Sequence, residues 1–226
     1  MAKRNGVVVI AAFAVGRAET LMLHLARLRR RDRIPDIPVY LNSPMAVDAT
    51  ELYRKYPEEH RISEREFREM YALPQLIRDP DASRALNLRG GPMVVISASG
   101  MLTGGRVLHH VEAYGPDPRN AIVLSGYQAG GTRGALLLDG ATSLRIYGRD
   151  VPIRAEVVSL DNLSAHADAD AILRWMGTCP RPPRMVYVTH GEIGASDTLR
   201  RRIQHELGWH ARVPEHLERV DLAAPR

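Results

Sequence analysis

Short apolar runs rich in β-branched residues alternate with amphipathic stretches along the whole chain, and this alternation restricts the possible folds more than any other feature. Continuous apolar runs of this length are typical of parallel strands that are buried on both faces. The predicted strands are residues 7–14, 39–42, 93–98, 121–125, 144–147, 156–160 and 185–189. The predicted helices are residues 17–30, 46–56, 64–71, 105–114, 168–176 and 196–207. The pattern therefore predicts an α/β fold around a mostly parallel sheet.

Two stretches interrupt this alternation. Residues 57–90 are rich in Arg, Glu and Pro and show no strand pattern, so we expect surface helices and loops that cover one end of the sheet. Residues 139–151 contain the predicted strand 144–147, followed by Gly148-Arg149-Asp150, which is a plausible turn. We therefore predict a boundary between two domains, residues 1–150 and residues 151–226.

The composition is that of an ordinary globular protein. The chain has 226 residues, 45% hydrophobic and 25% charged, and no stretch approaches the roughly 20 apolar residues that span a bilayer. The first residues resemble a signal peptide, but the apolar run ends at Gly16-Arg17-Ala18-Glu19 and a helical pattern follows, so we interpret it as a buried strand. A single cysteine, Cys179, excludes an internal disulfide, and the expected compartment is the cytoplasm.

The basic residues are almost all arginine. The formal net charge is +5, and Lys3 and Lys55 are the only lysines among 31 basic residues. Arginine suits phosphate oxygens because its planar guanidinium donates two parallel hydrogen bonds. Genomic base composition that favours arginine codons explains the same bias without any function. The charge therefore permits nucleic-acid binding but does not establish it.

Two glycine-rich segments follow predicted strands, SASGMLTGGR (97–106) and SGYQAGGTRG (125–134). Each is able to bring backbone N–H groups close to a phosphate, with the N-terminus of a helix behind them. Neither reads GxGxxG, and Arg106-Val107 stands where a Walker A motif requires Lys-Ser/Thr. Tight turns at strand ends account for the glycines equally well. Both interpretations stay open at this point.

Two histidines lie at the ends of predicted strands. His166 stands at the entry to a predicted helix, where Ser164 or Asp168 is a possible N-cap, and His190 ends the strand 185–189. In α/β sheets the carboxyl ends of parallel strands are where sites form, so the two rings converge if their strands run in the same sense. Two histidines are too few for a catalytic metal, which usually takes three protein ligands. The other histidines show no ligand spacing and receive no role.

The motifs around these histidines resemble those of a known family. LSAHAD (163–168) and VYVTHGE (186–192) are similar to the last two signature motifs of the β-CASP branch of the metallo-β-lactamase fold, which comprises RNA-processing nucleases. FAVGRAE (13–19), the two glycine-rich segments and YGRDVPIRAEVVSL (147–160) match further motifs in the same order. The resemblance runs from about residue 6 to about residue 205. The sequence is more similar to bacterial and archaeal homologues of the cleavage and polyadenylation endonuclease than to nucleases of the RNase J type.

The resemblance implies a fold and an activity. The fold is a Rossmann-like β-CASP unit, followed by the C-terminal strands and helices of a metallo-β-lactamase-like αββα domain. The activity is zinc-dependent hydrolysis of RNA by a hydroxide between two zinc ions. In that scheme His190 corresponds to a zinc ligand, and His166 corresponds to a catalytic histidine that assists proton transfer to the leaving group. The residues implied in RNA-backbone binding are Ser164, Ala165, Ser97, Gly100, Thr132 and Arg17.

The sequence also departs from the family pattern. Family members carry HxHxDH, a later histidine and a bridging aspartate in an N-terminal lactamase-like half, and these motifs are missing here. The chain therefore resembles the C-terminal part of a family member, whether as a fragment, a truncated reading frame or half of a split protein. We expect RNA and the missing half as partners, at most partial zinc binding, no membrane association and no hydrolysis by this chain alone. A non-catalytic RNA-binding module of the same ancestry is the alternative. The choice between endonuclease and exonuclease, and the oligomeric state, stay open.

Overall fold

The computed structural model describes residues 1–221, which fold into two compact units, Met1–Ser164 and a second that begins at Ala165. The strands of the described residues are β1 (Val7–Ala11), β2 (Val39–Leu41), β3 (Pro74–Leu76), β4 (Met93–Ser97), β5 (Ala121–Leu124), β6 (Ser143–Ile146), β7 (Arg149–Pro152), β8 (Glu156–Ser159), β9 (Val186–Tyr187) and β10 (Ala211–Arg212). Their α-helices are α1 (Arg17–Arg30), α2 (Pro44–Arg54), α3 (Glu64–Ala72), α4 (Pro80–Asn87), α5 (Arg106–Tyr114), α6 (Arg133–Leu138), α7 (Ala169–Met176) and α8 (Ile193–Leu207).

Six parallel strands form the sheet of the first unit, in the order β3-β2-β4-β1-β5-β8. β1 lies in the middle, where Val9 pairs with Val95 of β4 on one side and with Ile122 of β5 on the other. Neighbouring strands are never consecutive in the chain except β2 and β3, so helices cross over the sheet between most of them. The predicted α/β fold with a mostly parallel sheet is therefore confirmed.

Helices cover both faces of this sheet, which explains why its strands are apolar throughout. Val9 faces a core that contains Val107 and Val111 of α5, whereas the next residue, Ile10, faces a core that contains Met22 of α1. Val9, Met22, Val107 and Val111 have no solvent-exposed surface. Burial of one such side chain stabilises the fold by about 2 kcal/mol. The two cores hold the sheet rigid, so that loops at its edge are anchored at both ends.

The structure corrects two sequence-based expectations. Residues 57–90 contain a strand after all, because β3 pairs with β2 at the edge of the sheet. A three-residue strand that begins with proline has no alternating pattern and is tolerated only at an edge, so it leaves little trace in the sequence. The turn at 148–150 is shifted: Tyr147 and Gly148, with φ of 48° and 80°, join β6 to β7, and Arg149 and Asp150 belong to β7.

The second unit has its own small core. Leu173 of α7, Ile203 of α8 and Ala211 of β10 are buried together, and β9 and β10 pair in parallel. β8 pairs with β5 within the first unit, although its residues fall in the predicted second domain. A domain boundary at residue 150 stays a prediction, because compact packing and common ancestry need not divide a chain at the same residue. None of the helices in the described residues has the length and apolar composition needed to cross a bilayer.

Candidate functional site

The sheet contains a topological switch point between β1 and β4. These strands are neighbours, but the chain leaves β1 for α1 on one face and leaves β4 for α5 on the opposite face. The loops that follow the two strands diverge there and leave a crevice at the carboxyl edge of the sheet, which is where ligands bind in open α/β folds. Both glycine-rich segments lie at this edge.

Three loops come together at the crevice, namely those that follow β1, β4 and β5. A β-carbon at Gly100, in the β4 loop, would lie 2.9 Å from the ring of Phe13 in the β1 loop. A β-carbon at Gly126, in the β5 loop, would lie 3.7 Å from the same ring. Phe13 thus packs between the two glycine-rich segments, and Gly100 is small because the ring occupies the space of a side chain.

Arg17 is a basic residue beside the β5 loop. It begins α1, and its Nη2 lies 3.7 Å from the position of a β-carbon at Gly126. Its Nη1 is buried, and none of the described residues accepts a hydrogen bond from it. A buried N–H of a cation without an acceptor is unfavourable by about 1–3 kcal/mol or more.

Gln128 links the two glycine-rich segments through hydrogen bonds. Its Nε2 donates to the carbonyl oxygens of Gly100 and Gly126, at 3.0 Å each, and the residue is only 8% exposed. Gly134 at the start of α6 makes room for it, because a β-carbon there would overlap the Gln128 amide oxygen. Gln128 was not predicted from the sequence, since an isolated glutamine in a loop gives no signal of its own.

The hydroxyl groups of Ser97 and Thr132 are engaged by the backbone. Ser97 is buried and donates to the carbonyl oxygen of Asn42, at 2.7 Å. Thr132 is the N-cap of α6, where its hydroxyl accepts from Ala135 N and donates to the carbonyl oxygen of Ala129. Both residues therefore shape the loops, and their contact with RNA stays a prediction.

A buried polar network supports the crevice at the end of β2. Asn42 is fully buried, and its Nδ2 group bonds to Ser83 Oγ at 2.9 Å and to His110 Nε2 at 2.8 Å, whereas its Oδ1 accepts from Arg106 at 2.8 Å. Arg106 also donates to the carbonyl oxygens of residues 77 and 78. The residue that excludes a Walker A motif thus joins β2, β3 and α5.

His110 is neutral in this network. Its Nε2 accepts from Asn42, so its Nδ1 carries the proton and donates to Asn87 Oδ1, at 2.5 Å. Burial, with smaller contributions from His109 and Arg106, lowers the pKa of His110 from 6.5 to about 4. No role was predicted for His110 from the sequence, because only the tertiary contacts distinguish it from the exposed His109.

His190 and His166 both lie in the second unit and are exposed. His190 follows β9 and has a φ of 61°, a left-handed conformation that is uncommon for residues other than glycine. Gly191 lies against Ser196 of α8, which is buried. His166 precedes Asp168, the N-cap of α7, whose carboxylate accepts from Ala171 N at 2.7 Å. Both histidines therefore stand at the entry to a helix.

Family models match most of the chain. Residues 18–137 match the Beta-Casp domain, and residues 150–214 match the Zn-dependent metallo-hydrolase RNA specificity domain. The chain belongs to the β-CASP family. Both matches agree with the motifs, which predicted the C-terminal part of a protein of the β-CASP branch of the metallo-β-lactamase fold.

Several curated proteins are similar to this β-CASP chain. Ribonuclease TTHA0252 of Thermus thermophilus is 40% identical over 195 residues, which cover 84% of this chain and 44% of that protein. Transcription termination factor FttA of Thermococcus kodakarensis is 34% identical over 236 residues, which cover 97% of this chain and 36% of that protein. An RNase J-like protein of Methanocaldococcus jannaschii is 32% identical over 195 residues, which cover 84% of this chain and 44% of that protein. The chain thus spans less than half the length of these relatives.

The second family model raises the question of whether this chain holds zinc by itself. Within residues 1–221, no three His, Cys, Asp or Glu side chains come together as candidate ligands. Asp170, two residues after the N-cap of α7, is paired with Arg202 at 2.7 Å. The side chains of the described residues therefore do not make up a complete zinc site.

Proposed function

We propose that this chain is the C-terminal part of a zinc-dependent ribonuclease, in which its β-CASP unit binds the RNA backbone and its last motifs contribute to a hydrolytic site. RNA phosphodiester bonds are the substrate, and zinc is the cofactor. The cytoplasm is the proposed compartment. Family membership and the names of the similar proteins support this function.

One observation supports RNA binding more than the others, namely the buried Nη1 of Arg17 at the switch-point crevice. Nothing in the described protein satisfies it, and the glycine-rich β5 loop lies beside the guanidinium at Gly126. Glu19, the nearby acidic residue of the same helix, is turned to α2, where it accepts from the hydroxyl of Thr50 at 2.9 Å. A phosphate oxygen is the acceptor that this arrangement would take, since charge-assisted bonds to a guanidinium are strong.

We further propose that His190 is one zinc ligand and that His166 lies near the scissile phosphate, where it assists proton transfer to the leaving group. The Ser164-Ala165 turn would lie against the RNA backbone, along with Ser97, Gly100 and Thr132. Hydrolysis then requires the additional ligands of a lactamase-like half, which is the proposed partner. By itself the chain would bind RNA without cleaving it.

The experiment that tests RNA binding compares Arg17→Gln with Arg31→Gln, using fluorescence anisotropy of a labelled, unstructured oligoribonucleotide. Arg31 is the exposed C-cap of the same helix, so both variants remove one charge from α1. Loss of a buried, charge-assisted bond to phosphate should weaken binding roughly tenfold or more in Arg17→Gln only. Equal affinities of the two variants, or no binding by the wild-type chain, would contradict the proposal.

A further inference from the structure

A second basic cavity borders the same glycine-rich loops on the first unit. It encloses about 320 Å³, is open to solvent, and is lined by Thr103, Gly131, Thr132, Arg133, Leu136 and Arg145. Ligand pockets begin at roughly 300 Å³, so the cavity has room for a phosphate together with its ribose. Its walls come from the β4 loop, the β5 loop, α6 and strand β6 of the β6–β7 hairpin.

Arg133 is held in place by the backbone on both sides of the cavity. Its Nε donates to the carbonyl oxygen of Arg145 at 2.7 Å, and its Nη1 donates to that of Leu102 at 3.2 Å. Within residues 1–221, no carboxylate lies at salt-bridge distance from it. Its guanidinium is therefore pre-positioned and keeps its full charge, with N–H groups to spare.

Arg145 supplies the second positive charge of the cavity. It stands on the hairpin opposite Asp150, and the two side chains form an ion pair of 3.1 Å in which both are about two-thirds exposed. A single exposed pair of this kind contributes about 0–1 kcal/mol, so Arg145 exchanges its partner readily for a stronger one. No Asp or Glu is among the residues that line the cavity.

We propose that this cavity binds a second backbone phosphate of the RNA, with Arg145 and Arg133 as its cationic contacts and Leu136 beneath the ribose. This inference rests on the proposed function, because RNA is the anion that also reaches the neighbouring crevice. The β5 loop lines the cavity at Gly131 and Thr132 and comes close to Arg17 at Gly126, so one strand of RNA would pass both.

The test uses Arg145→Gln, because substitution of Arg133 would also remove its bonds to the backbone. Arg149→Gln is the matched control: Arg149 lies on the same hairpin, its side chain is 81% exposed, and it does not line the cavity. Binding of labelled oligouridylate is measured at several salt concentrations, and melting temperatures check that both variants are folded. Arg145→Gln should weaken binding roughly five- to tenfold at low salt and lower the salt slope by about 0.7.

The outcomes separate this inference from the function on which it rests. If the wild-type chain binds no RNA, both fail. If it binds RNA but Arg145→Gln and Arg149→Gln lose affinity and salt slope equally, only the second phosphate site is wrong. Inorganic phosphate, added at constant ionic strength, provides the last comparison. At a phosphate site free phosphate competes with RNA, so the difference between wild type and Arg145→Gln should shrink as phosphate is added. A difference that saturating phosphate leaves unchanged would mean that Arg145 does not contact a backbone phosphate, and the proposal would be overturned.

Discussion

At the scale of single residues, the buried polar groups at the end of β2 are satisfied only in one protonation state. Asn42 donates to His110 Nε2 while its oxygen accepts from Arg106, so the amide cannot flip without breaking bonds on both sides. A proton on His110 Nε2 would place an N–H against the N–H of Asn42. The lowered pKa of His110, about 4, follows from its burial in this network.

This pKa predicts how stability depends on pH. The unfolded chain protonates His110 below about pH 6.5, whereas the folded chain does so only near pH 4, so the contribution is complete above pH 6.5 and is lost as the pH falls through this window. Between pH 7 and pH 5 the free energy of unfolding should fall by about 2 kcal/mol. Urea unfolding at each pH measures this free energy.

Two neighbouring variants test the origin of this loss. His110→Gln should remove most of the pH dependence, whereas His109→Gln should retain it, because His109 is exposed and stacks on Tyr147. The window above pH 5 excludes most carboxylate titrations. A pH dependence that is unchanged in His110→Gln would show that other groups are responsible.

At the scale of elements, the glycine-rich loops depend on single glycines. Gly105 has a φ of 78° and precedes α5, and a β-carbon there would lie 2.6 Å from the carbonyl oxygen of Ala98. Gly104 has open space around its α-carbon. The two adjacent glycines therefore differ in what they allow, although both belong to one segment.

This difference predicts that one of two alanine substitutions is strongly destabilising and the other is not. Gly105→Ala should lower the free energy of unfolding by about 2 kcal/mol or more and weaken RNA binding, because the left-handed backbone and the Ala98 carbonyl both resist a side chain. Gly104→Ala should change stability by less than about 0.5 kcal/mol. Urea unfolding and RNA anisotropy measure both. Equal destabilisation by the two substitutions would mean that the loop geometry is wrong.

Most elements were predictable from the sequence. α1 occupies the predicted residues 17–30, and the predicted strands lie where apolar runs occur, although several end one to three residues early. β3, β7, β10 and α6 were missed because they are too short to show a periodic pattern. Such short elements form because of their contacts with the rest of the fold.

At the scale of the whole molecule, the two histidines have separable proposed roles. In a polypeptide that also carries the remaining metal ligands, His190→Ala should reduce bound zinc and abolish RNA cleavage. His166→Ala should retain zinc while cleavage falls by roughly 10²–10⁴. Elemental analysis and a cleavage assay measure these effects. His205→Ala, an exposed histidine of α8, is the control and should change neither. Equal loss of zinc in both variants would refute the division of roles.

The sequence by itself determined the class of fold and the family, because apolar periodicity and ordered motifs are local properties of the chain. Only the tertiary structure brought Phe13, Arg17 and Gln128 to the two glycine-rich loops, and only it paired Arg145 with Arg133 around a cavity. Phe13 and Arg17 lie far from the two glycine-rich loops in sequence, and their meeting with these loops depends on the order of the strands. Periodicity carries no information about that order, since a buried strand reads the same at every position in a parallel sheet.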